Sequence, residues 1–132
     1  MTEVLDASAL LAYLQGEPGA DVVSAAIGQG AVISTVNLAE VLSKRADAGD
    51  NPDVLSDRLV KAGLFDGAIE VLDLTFDDAV QIARLRTPTR PWGLSLGDRA
   101  CLALGRRRNA RVITTDSASK ELAIGVEVCS IR

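Results

Sequence analysis

The sequence predicts an α/β protein, a three-layer α/β/α sandwich around a mostly parallel sheet of about five strands. Short apolar runs rich in Val, Ile and Leu recur along the 132 residues, and helical patterns separate them. Strands that alternate with helices form parallel sheets covered by helices on both faces. We expect a single domain over residues 1–132, because this length supports one sizeable core and is too short for two.

Each element follows from its own local pattern. The predicted strands are residues 3–6, 31–34, 69–74, 111–114 and 126–131. The predicted helices cover residues 7–14, 20–27, 36–48 and 117–123, with others opening at Asn51-Pro52, Phe76 and Ser95. Gly63 or Gly67 is expected to end the helix that Asn51 caps.

Two helix starts carry a capping-box pattern, in which a hydroxyl residue is followed three positions later by an acid. Thr75 precedes Asp78 in one, and the apolar residues 76, 79, 80 and 83 then follow at helical spacing, which predicts an amphipathic helix. Ser95 precedes Asp98 in the other. Residues 87–93 contain two prolines and a glycine and are expected to form a loop.

The composition excludes several classes of chemistry. There is no histidine, which rules out Ser-His-Asp and Cys-His catalysis and zinc sites that need imidazole. Cys101 and Cys129 have no metal or redox spacing and are expected to be buried free thiols. With no membrane span and no signal-peptide pattern in the sequence, we expect a cytoplasmic protein.

Charge is unevenly distributed along the chain. The net charge is −4, but the segment 84–111 contains eight arginines and one acid. This segment predicts a local attraction for a polyanion, with Arg90, Arg99 and Arg106 as candidate phosphate contacts. The alternative for residues 106–108 is that they close a helix, where cations offset the negative end of the dipole.

Four acids map to strand ends or to nearby helices. Asp6 ends the first strand, Asp116 follows the fourth, Glu40 shares a helical face with Asn37, and Asp98 begins a helix. Ligands of such sheets bind beyond the carboxyl ends of the strands, so these acids are candidates for one site. Grouped carboxylates repel each other, and a hard cation such as Mg²⁺ or Mn²⁺ reverses that repulsion.

Each acid also has an ordinary structural explanation. Asp6 and Asp116 are possible helix N-caps, Asp98 a partner of Ser95, and Glu40 a partner of Lys44 on a solvated face. These alternatives stay open at the level of the sequence.

Four segments together resemble the PIN domain family, and within it the VapC-type toxins of bacterial toxin-antitoxin pairs. The segments are Val4-Leu-Asp-Ala-Ser8, Asn37-Leu-Ala-Glu-Val41, Leu96-Gly-Asp-Arg-Ala100 and Ile113-Thr-Thr-Asp116. The resemblance spans essentially the whole chain. It implies a PIN-like fold and a Mg²⁺- or Mn²⁺-dependent endoribonuclease in which Asp6, Glu40, Asp98 and Asp116 are the metal-binding and catalytic acids.

The resemblance also implies supporting residues and partners. Ser8 and Thr114 match small hydroxyl positions that support the site in that family, and Asn37 beside Glu40 is a further supporting candidate. The implied partners are structured RNA such as tRNA or rRNA, a cognate antitoxin, and a second copy in a homodimer, with a heterotetramer or larger assembly on antitoxin binding. The sequence departs from the family at Ser119, where relatives often carry a large apolar residue.

Other functions compete with this one. An aspartate-based phosphoryl-transfer domain would also place an acid at position 6. However, Ser8 stands where haloacid-dehalogenase-like phosphatases carry a second aspartate, and no lysine directly ends a strand, as receiver domains require. A PIN-like module that binds a partner without catalysis is the third hypothesis. Trp92, the only tryptophan, is expected either to cover the core or to stack on an RNA base.

Overall fold

The sheet has five strands, all parallel, in the order β3-β2-β1-β4-β5. The computed structural model describes residues 2–116 and 124–132. The strands are β1 (Glu3–Leu5), β2 (Ala31–Ser34), β3 (Ile69–Leu72), β4 (Val112–Thr114) and β5 (Val128–Ser130). The predicted α/β class and parallel sheet are confirmed. The predicted helix 117–123 and Ser119 lie outside the described residues.

Helices connect the strands from β1 to β4. They are α1 (Ala7–Gln15), α2 (Ala20–Gly28), α3 (Thr35–Asp47), α4 (Pro52–Lys61), α5 (Phe76–Arg84), α6 (Arg86–Thr89) and α7 (Leu96–Arg108). Asn51 caps α4 as predicted, since its Oδ1 accepts from the N–H groups of Asp53 and Val54. The chain then leaves α4 through Gly63, whose φ is +80°, and a short π-helical turn before β3.

The core lies on both faces of the sheet because side chains alternate along each strand. Val4, Val32 and Val112 are neighbours across three strands and pack on the face covered by α5 and α7. Leu5 and Ile113 point to the opposite face, where α1 to α4 cover them. This arrangement is the predicted three-layer sandwich.

The prediction of a loop over residues 87–93 is wrong. Residues 86–89 form α6, residues 90–92 form a 3₁₀ turn, and Gly93 ends that turn with a φ of +62°. Pro88 and Pro91 fall in the first turn of each element, where a backbone N–H has no helical partner to lose. The side chain of Thr89 is buried and donates to the carbonyl oxygen of Leu85.

The helix α5 forms with its predicted capping box, but its apolar stripe faces solvent. Phe76 is 88% exposed and Val80 is 36% exposed, whereas Asp78 and Ile82 on the other side are buried. Asp78 is held at the buried side because its carboxylate accepts from the Thr75 N–H and pairs with Arg107 at 3.1 Å. Contacts with α7 therefore determine which face of α5 is buried.

Candidate functional site

The site begins at Asp6, the residue that directly follows β1. It is the N-cap of α1: its Oδ1 accepts from the Ala9 N–H at 2.8 Å and from the Ser8 hydroxyl at 2.6 Å. Asp6 is 9% exposed. The predicted capping role is confirmed, and this position also brings the carboxylate to the carboxyl edge of the sheet.

Burial raises the pKa of the Asp6 carboxyl above its ordinary value, because desolvation penalises the charged form. Hydrogen bonds from Ser8, Thr114 and the Ala9 N–H oppose this by stabilising the carboxylate, and the negative charge of Asp98 raises the pKa of Asp6 further. Asp98 therefore lies near enough to Asp6 for the two charges to interact. A cation between them would relieve both penalties.

The end of β4 is tied to Asp6 through hydroxyl groups. Thr114 lies 3.4 Å from the Ser8 hydroxyl, which accepts from the Thr115 N–H at 3.0 Å. The Asp116 N–H in turn donates to the Thr114 hydroxyl at 3.1 Å. Ser8 and Thr114 thus link the two neighbouring strand ends that carry Asp6 and Asp116, with the Asp116 residue exposed.

Glu40 is held by the amide of Asn37, which is 1% exposed. The Asn37 Nδ2 donates to the Glu40 carboxylate at 2.8 Å and to the Gly97 carbonyl oxygen at 3.0 Å. The Ser34 hydroxyl, at the end of β2, donates to the Asn37 Oδ1 at 2.7 Å and so fixes the amide's orientation. Among the ion pairs of the described residues, none joins Glu40 to Lys44, so the expected pairing on a solvated face is not formed.

Gly97 lets the Glu40 carboxylate approach the first turn of α7. A Cβ atom added at Gly97 would collide with the Glu40 carboxylate. The side chain of Glu40 therefore lies against the backbone one residue before Asp98. The glycine serves this close approach, since no unusual backbone angle requires it.

Asp98 completes the capping box of α7. Its Oδ2 accepts from the Ser95 N–H at 3.0 Å while its own N–H donates to the Ser95 hydroxyl at 3.1 Å. The predicted capping role is confirmed here as well. Asp98 and Asp6 line one small cavity together with Leu94, Cys101 and Thr114.

The negative charges of three of these acids act on the thiol of Cys101. Burial raises its pKa well above the ordinary value, and the negative charges of Asp6, Asp98 and Glu40 raise it further. The predicted burial of Cys101 is confirmed, while Cys129 is only partly buried. Three carboxylates from three different segments therefore share one electrostatic neighbourhood.

The donor set fits a hard cation, because the candidate ligands are carboxylate oxygens with hydroxyl and amide groups around them. Within residues 2–116 and 124–132, however, no three acidic or sulfur side chains lie close enough to hold one ion jointly. Asp6 and Asp98 thus share one cavity and Glu40 lies against the backbone beside Asp98, while the structure does not bring the four predicted acids together around one ion. Mg²⁺ in proteins is commonly bound by one or two carboxylates and keeps several waters, so this geometry remains compatible with it.

The three candidate arginines occupy different environments. Arg99 is only 9% exposed and donates to the Ile82 carbonyl oxygen at 3.1 Å, so it does not reach solvent as a phosphate contact requires. Arg106 lies in the last turn of α7, about 12 Å along the helix from Asp98. Arg90 is exposed, four residues before the cavity residue Leu94.

The structural alternative for residues 106–108 is supported. They fill the last turn of α7, which ends at Asn109 with a φ of 49°. Arg107 pairs with Asp78, and Arg108 lies 3.9 Å from Glu70. Their positions match the stabilising role of cations at a helix C-terminus.

Two residues of the site were not identified from the sequence. Ser34 is the N-cap of α3, and its place between an apolar strand and a helix was a usable signal. Gly97 left no such signal, because its role depends on a contact with Glu40, 57 positions earlier in the chain. Trp92 is 41% exposed, so part of its ring faces solvent.

The fold and the acidic edge define a class of protein: a parallel α/β sandwich whose polar site lies at the carboxyl ends of its strands. The family model for the PIN domain matches residues 4–125. The chain belongs to the PIN domain family. No curated protein is similar enough to this sequence to count as a match.

Solved structures show the same fold. A chain in the crystal structure of FitAcB from Neisseria gonorrhoeae is 24% identical with a TM-score of 0.73, covering 99% of this chain and 98% of that one. A chain of VapBC-5 from Mycobacterium tuberculosis, in the VapBC family of toxin-antitoxin systems, is 25% identical with a TM-score of 0.61 and 98% coverage of both chains.

A third similar structure is that of VapBC2 from Rickettsia felis bound to a DNA fragment from its promoter. It is 16% identical with a TM-score of 0.71, and 98% of each chain is covered. These similarities extend over nearly the whole of each chain, so the shared fold includes all strands from β1 to β5. In the described part of the molecule, no helix has both the length and the apolar character needed to cross a membrane.

Proposed function

We propose that this chain is a metal-dependent endoribonuclease and the toxin of a toxin-antitoxin pair, acting as one domain over residues 1–132. The observation that carries the proposal is the pairing of Asp6 and Asp98 at one cavity, with Glu40 held nearby by Asn37. Membership of the PIN domain family and the likeness to chains of toxin-antitoxin complexes support it.

Asp6, Glu40, Asp98 and Asp116 are the proposed metal-binding and catalytic acids. Mg²⁺ or Mn²⁺ held by these carboxylates would supply Lewis-acid stabilisation of phosphate charge and would favour ionisation of the attacking water. Ser8 and Thr114 orient Asp6, and Asn37 orients Glu40, so each carboxylate is presented in a fixed direction. The arrangement supports hydrolysis of an RNA phosphodiester by water.

The proposed substrate is structured RNA such as tRNA or rRNA, encountered in the cytoplasm. Arg90 is the proposed phosphate contact, because it is exposed and close in sequence to the cavity. The proposed protein partners are a cognate antitoxin and a second copy of this chain, in a heterotetramer or larger assembly. A similar structure from Klebsiella pneumoniae is a toxin-antitoxin complex, which supports the antitoxin as a partner.

The test measures metal binding and cleavage separately. Wild type, Asp6→Asn and Asp98→Asn are titrated with Mg²⁺ or Mn²⁺ while the melting temperature is followed, and each is then incubated with structured RNA. Asp53→Asn is the matched control, because Asp53 also lies in the first turn of a helix but is exposed on α4.

We expect metal to raise the melting temperature of wild type and Asp53→Asn, and both to cleave RNA. Asp6→Asn and Asp98→Asn should fold but lose most of the metal-induced shift and at least about 100-fold in cleavage rate. Equal cleavage by all four proteins would overturn the nuclease assignment. Metal binding without any cleavage would favour a partner-binding module instead.

A further inference from the structure

The proposed function leaves one large aromatic side chain close to the acidic cavity without a role. Trp92 is 41% exposed, although tryptophan is among the side chains that gain most from burial. Leu94, two residues later, is buried and lines the cavity together with Asp6 and Asp98. Leu96, two residues later again, is 61% exposed. Two large apolar side chains are therefore open to solvent, one on each side of a cavity residue in the chain.

The backbone that carries Trp92 is held in a fixed conformation. Pro91 restricts φ in the middle of the 3₁₀ turn, and Gly93 ends the turn with a φ of +62°. In the preceding helix α6, the buried Thr89 hydroxyl donates to the carbonyl oxygen of Leu85 at 2.6 Å and anchors the segment to the core. The indole therefore lies on a pre-organised turn, so little conformational entropy is lost when a ligand packs against it.

The charge around Trp92 favours a polyanion as that ligand. Residues 79–97 contain three arginines and no acid. These arginines are all exposed, and within residues 2–116 and 124–132 none of them forms an ion pair; they are Arg84, Arg86 and Arg90. Single-stranded nucleic acid binds to this combination of groups, because cations hold its phosphates while an aromatic ring stacks on a base.

Contacts between α5 and α7 place this positive segment at the acidic end of α7. Near the start of α7, Arg99 donates to the carbonyl oxygen of Ile82, close to the end of α5. At the other end of α5, Asp78 pairs with Arg107 in the last turn of α7. The end of α5 therefore lies beside the start of α7, the part of that helix that contains Asp98.

We infer that Trp92 stacks on an unpaired base of the RNA substrate and determines which nucleotide lies beside the cavity. This inference rests on the proposed nuclease function and deepens it, because it specifies the part of the substrate that is recognised: a single-stranded nucleotide near the bond to be cleaved. Bases inside a duplex are stacked on their neighbours and do not reach the indole. The contact is separate from the reacting phosphate, so it contributes to binding more than to the chemical step.

The first experiment uses Trp92 as its own probe, because it is the only tryptophan of the chain. Single-stranded oligoadenylate, and the same strand paired with oligouridylate, are titrated into wild type while tryptophan emission is recorded. Ca²⁺ replaces Mg²⁺ because it also takes oxygen ligands, and a gel confirms that the RNA stays intact. The single strand should quench the emission at least about threefold more than the duplex at equal nucleotide concentration.

The second experiment compares Trp92→Leu, Trp92→Phe and Phe76→Leu, with thermal melts confirming that each is folded. Phe76→Leu is the matched control, because Phe76 is an aromatic residue that is 88% exposed at the start of α5, the end that lies beside the last turn of α7. Binding of labelled oligoadenylate in Ca²⁺ gives the dissociation constant, and cleavage of structured RNA in Mg²⁺ gives KM and kcat.

The expected changes follow from the loss or retention of the ring. Trp92→Leu should raise the dissociation constant and KM at least about fivefold and change kcat by less than about twofold. Trp92→Phe keeps a ring for stacking and should stay within about threefold of wild type. Phe76→Leu should stay within about twofold in all three values.

The outcomes separate this inference from the proposed function. Emission that neither RNA changes, or that both quench equally, would overturn the inference. A Trp92→Leu variant that binds RNA as tightly as wild type would also overturn it and assign the exposed indole to a protein contact. A variant that loses only kcat and melting temperature would show a structural role instead. Quenching by the single strand without any cleavage would overturn the nuclease function and leave the stacking assignment standing.

Discussion

At the scale of single residues, Asp6 combines a structural and a proposed chemical role. It caps α1 through the Ala9 N–H and also faces Asp98 across the cavity. A capping aspartate could be fully solvated, but this one is buried, which raises its pKa. The protein therefore keeps a carboxylate at a position where its charge is costly without a counterion.

This cost predicts a specific pH dependence of the metal-free protein. Between the unfolded value of 3.8 and the raised native pKa, the native state retains a proton on Asp6 that the unfolded chain has lost. The contribution of Asp6 to stability is thus present at low pH and lost as pH rises through the native pKa.

The prediction is tested by melting wild type and Asp6→Asn in chelator between about pH 4 and pH 8. Asparagine is an equally good cap and does not ionise. The melting temperature of Asp6→Asn relative to wild type should rise with pH and exceed it by on the order of 2–4 °C at neutral pH. A difference that is independent of pH would show that Asp6 does not titrate with a raised pKa.

At the scale of elements, two helices start with the same capping box, but the acids of the two boxes have different neighbours. Thr75 and Asp78 form the capping box of α5, and Ser95 and Asp98 form that of α7. The acid of the first pairs with Arg107, whereas the acid of the second lines the cavity beside Asp6. One box stabilises a helix, and the other also fixes a carboxylate of the site.

This difference predicts separable effects of two matched substitutions. Thr75→Ala and Ser95→Ala each remove one capping bond and should each lower the free energy of unfolding by about 1 kcal/mol. Ser95→Ala should also lower cleavage by several-fold and weaken the metal-induced rise in melting temperature, because Asp98 loses a constraint. Denaturant unfolding and cleavage assays check both effects; an equal loss of activity in the two variants would contradict the prediction.

Elements were predictable where one local pattern determines them. The strand β2, the capped start of α4 and both capping boxes follow from neighbouring residues, and the structure has them where the sequence placed them. The face that α5 buries was not predictable from its apolar spacing. The ion pair between Asp78 and Arg107 selects the buried side, and no local pattern contains that contact.

The same reasoning separates the parts of the site. The position of Asp6 follows from an apolar strand that ends in an acid, so its place at the sheet edge was predictable. The distance between Glu40 and Asp98 was not, because it depends on the Asn37 amide and on the space left by Gly97. The prediction of Arg99 as a phosphate contact was wrong for a related reason, because its burial depends on how α5 packs against α7.

At the scale of the whole molecule, the positive segment is divided between the two ends of α7. Arg90 precedes the helix and lies four residues before the cavity residue Leu94, while residues 106–108 fill the last turn, where Arg107 and Arg108 pair with acids. The net charge of the chain is −4, so RNA would be repelled from most of the surface. Binding near the acids therefore depends on local cations.

This distribution predicts that two exposed arginines differ in function. Arg90→Ala should raise the KM for RNA several-fold and reduce the salt dependence of binding by about one phosphate contact. Arg106→Ala, the matched control at the far end of α7, should change both values by less than about twofold. RNA cleavage and filter binding over a range of salt concentrations provide the measurement. A larger effect at Arg106 than at Arg90 would contradict the prediction.

The strand order has a consequence for synthesis of the chain. The strand β1, which carries Asp6, lies between β2 and β4, and Val4 pairs with Val112. A nascent polypeptide therefore has an open edge beside Asp6 until residues 112–116 have left the ribosome. Under the proposed activity, the site is therefore assembled only after the segment that ends in Asp116 has joined the open edge of β1.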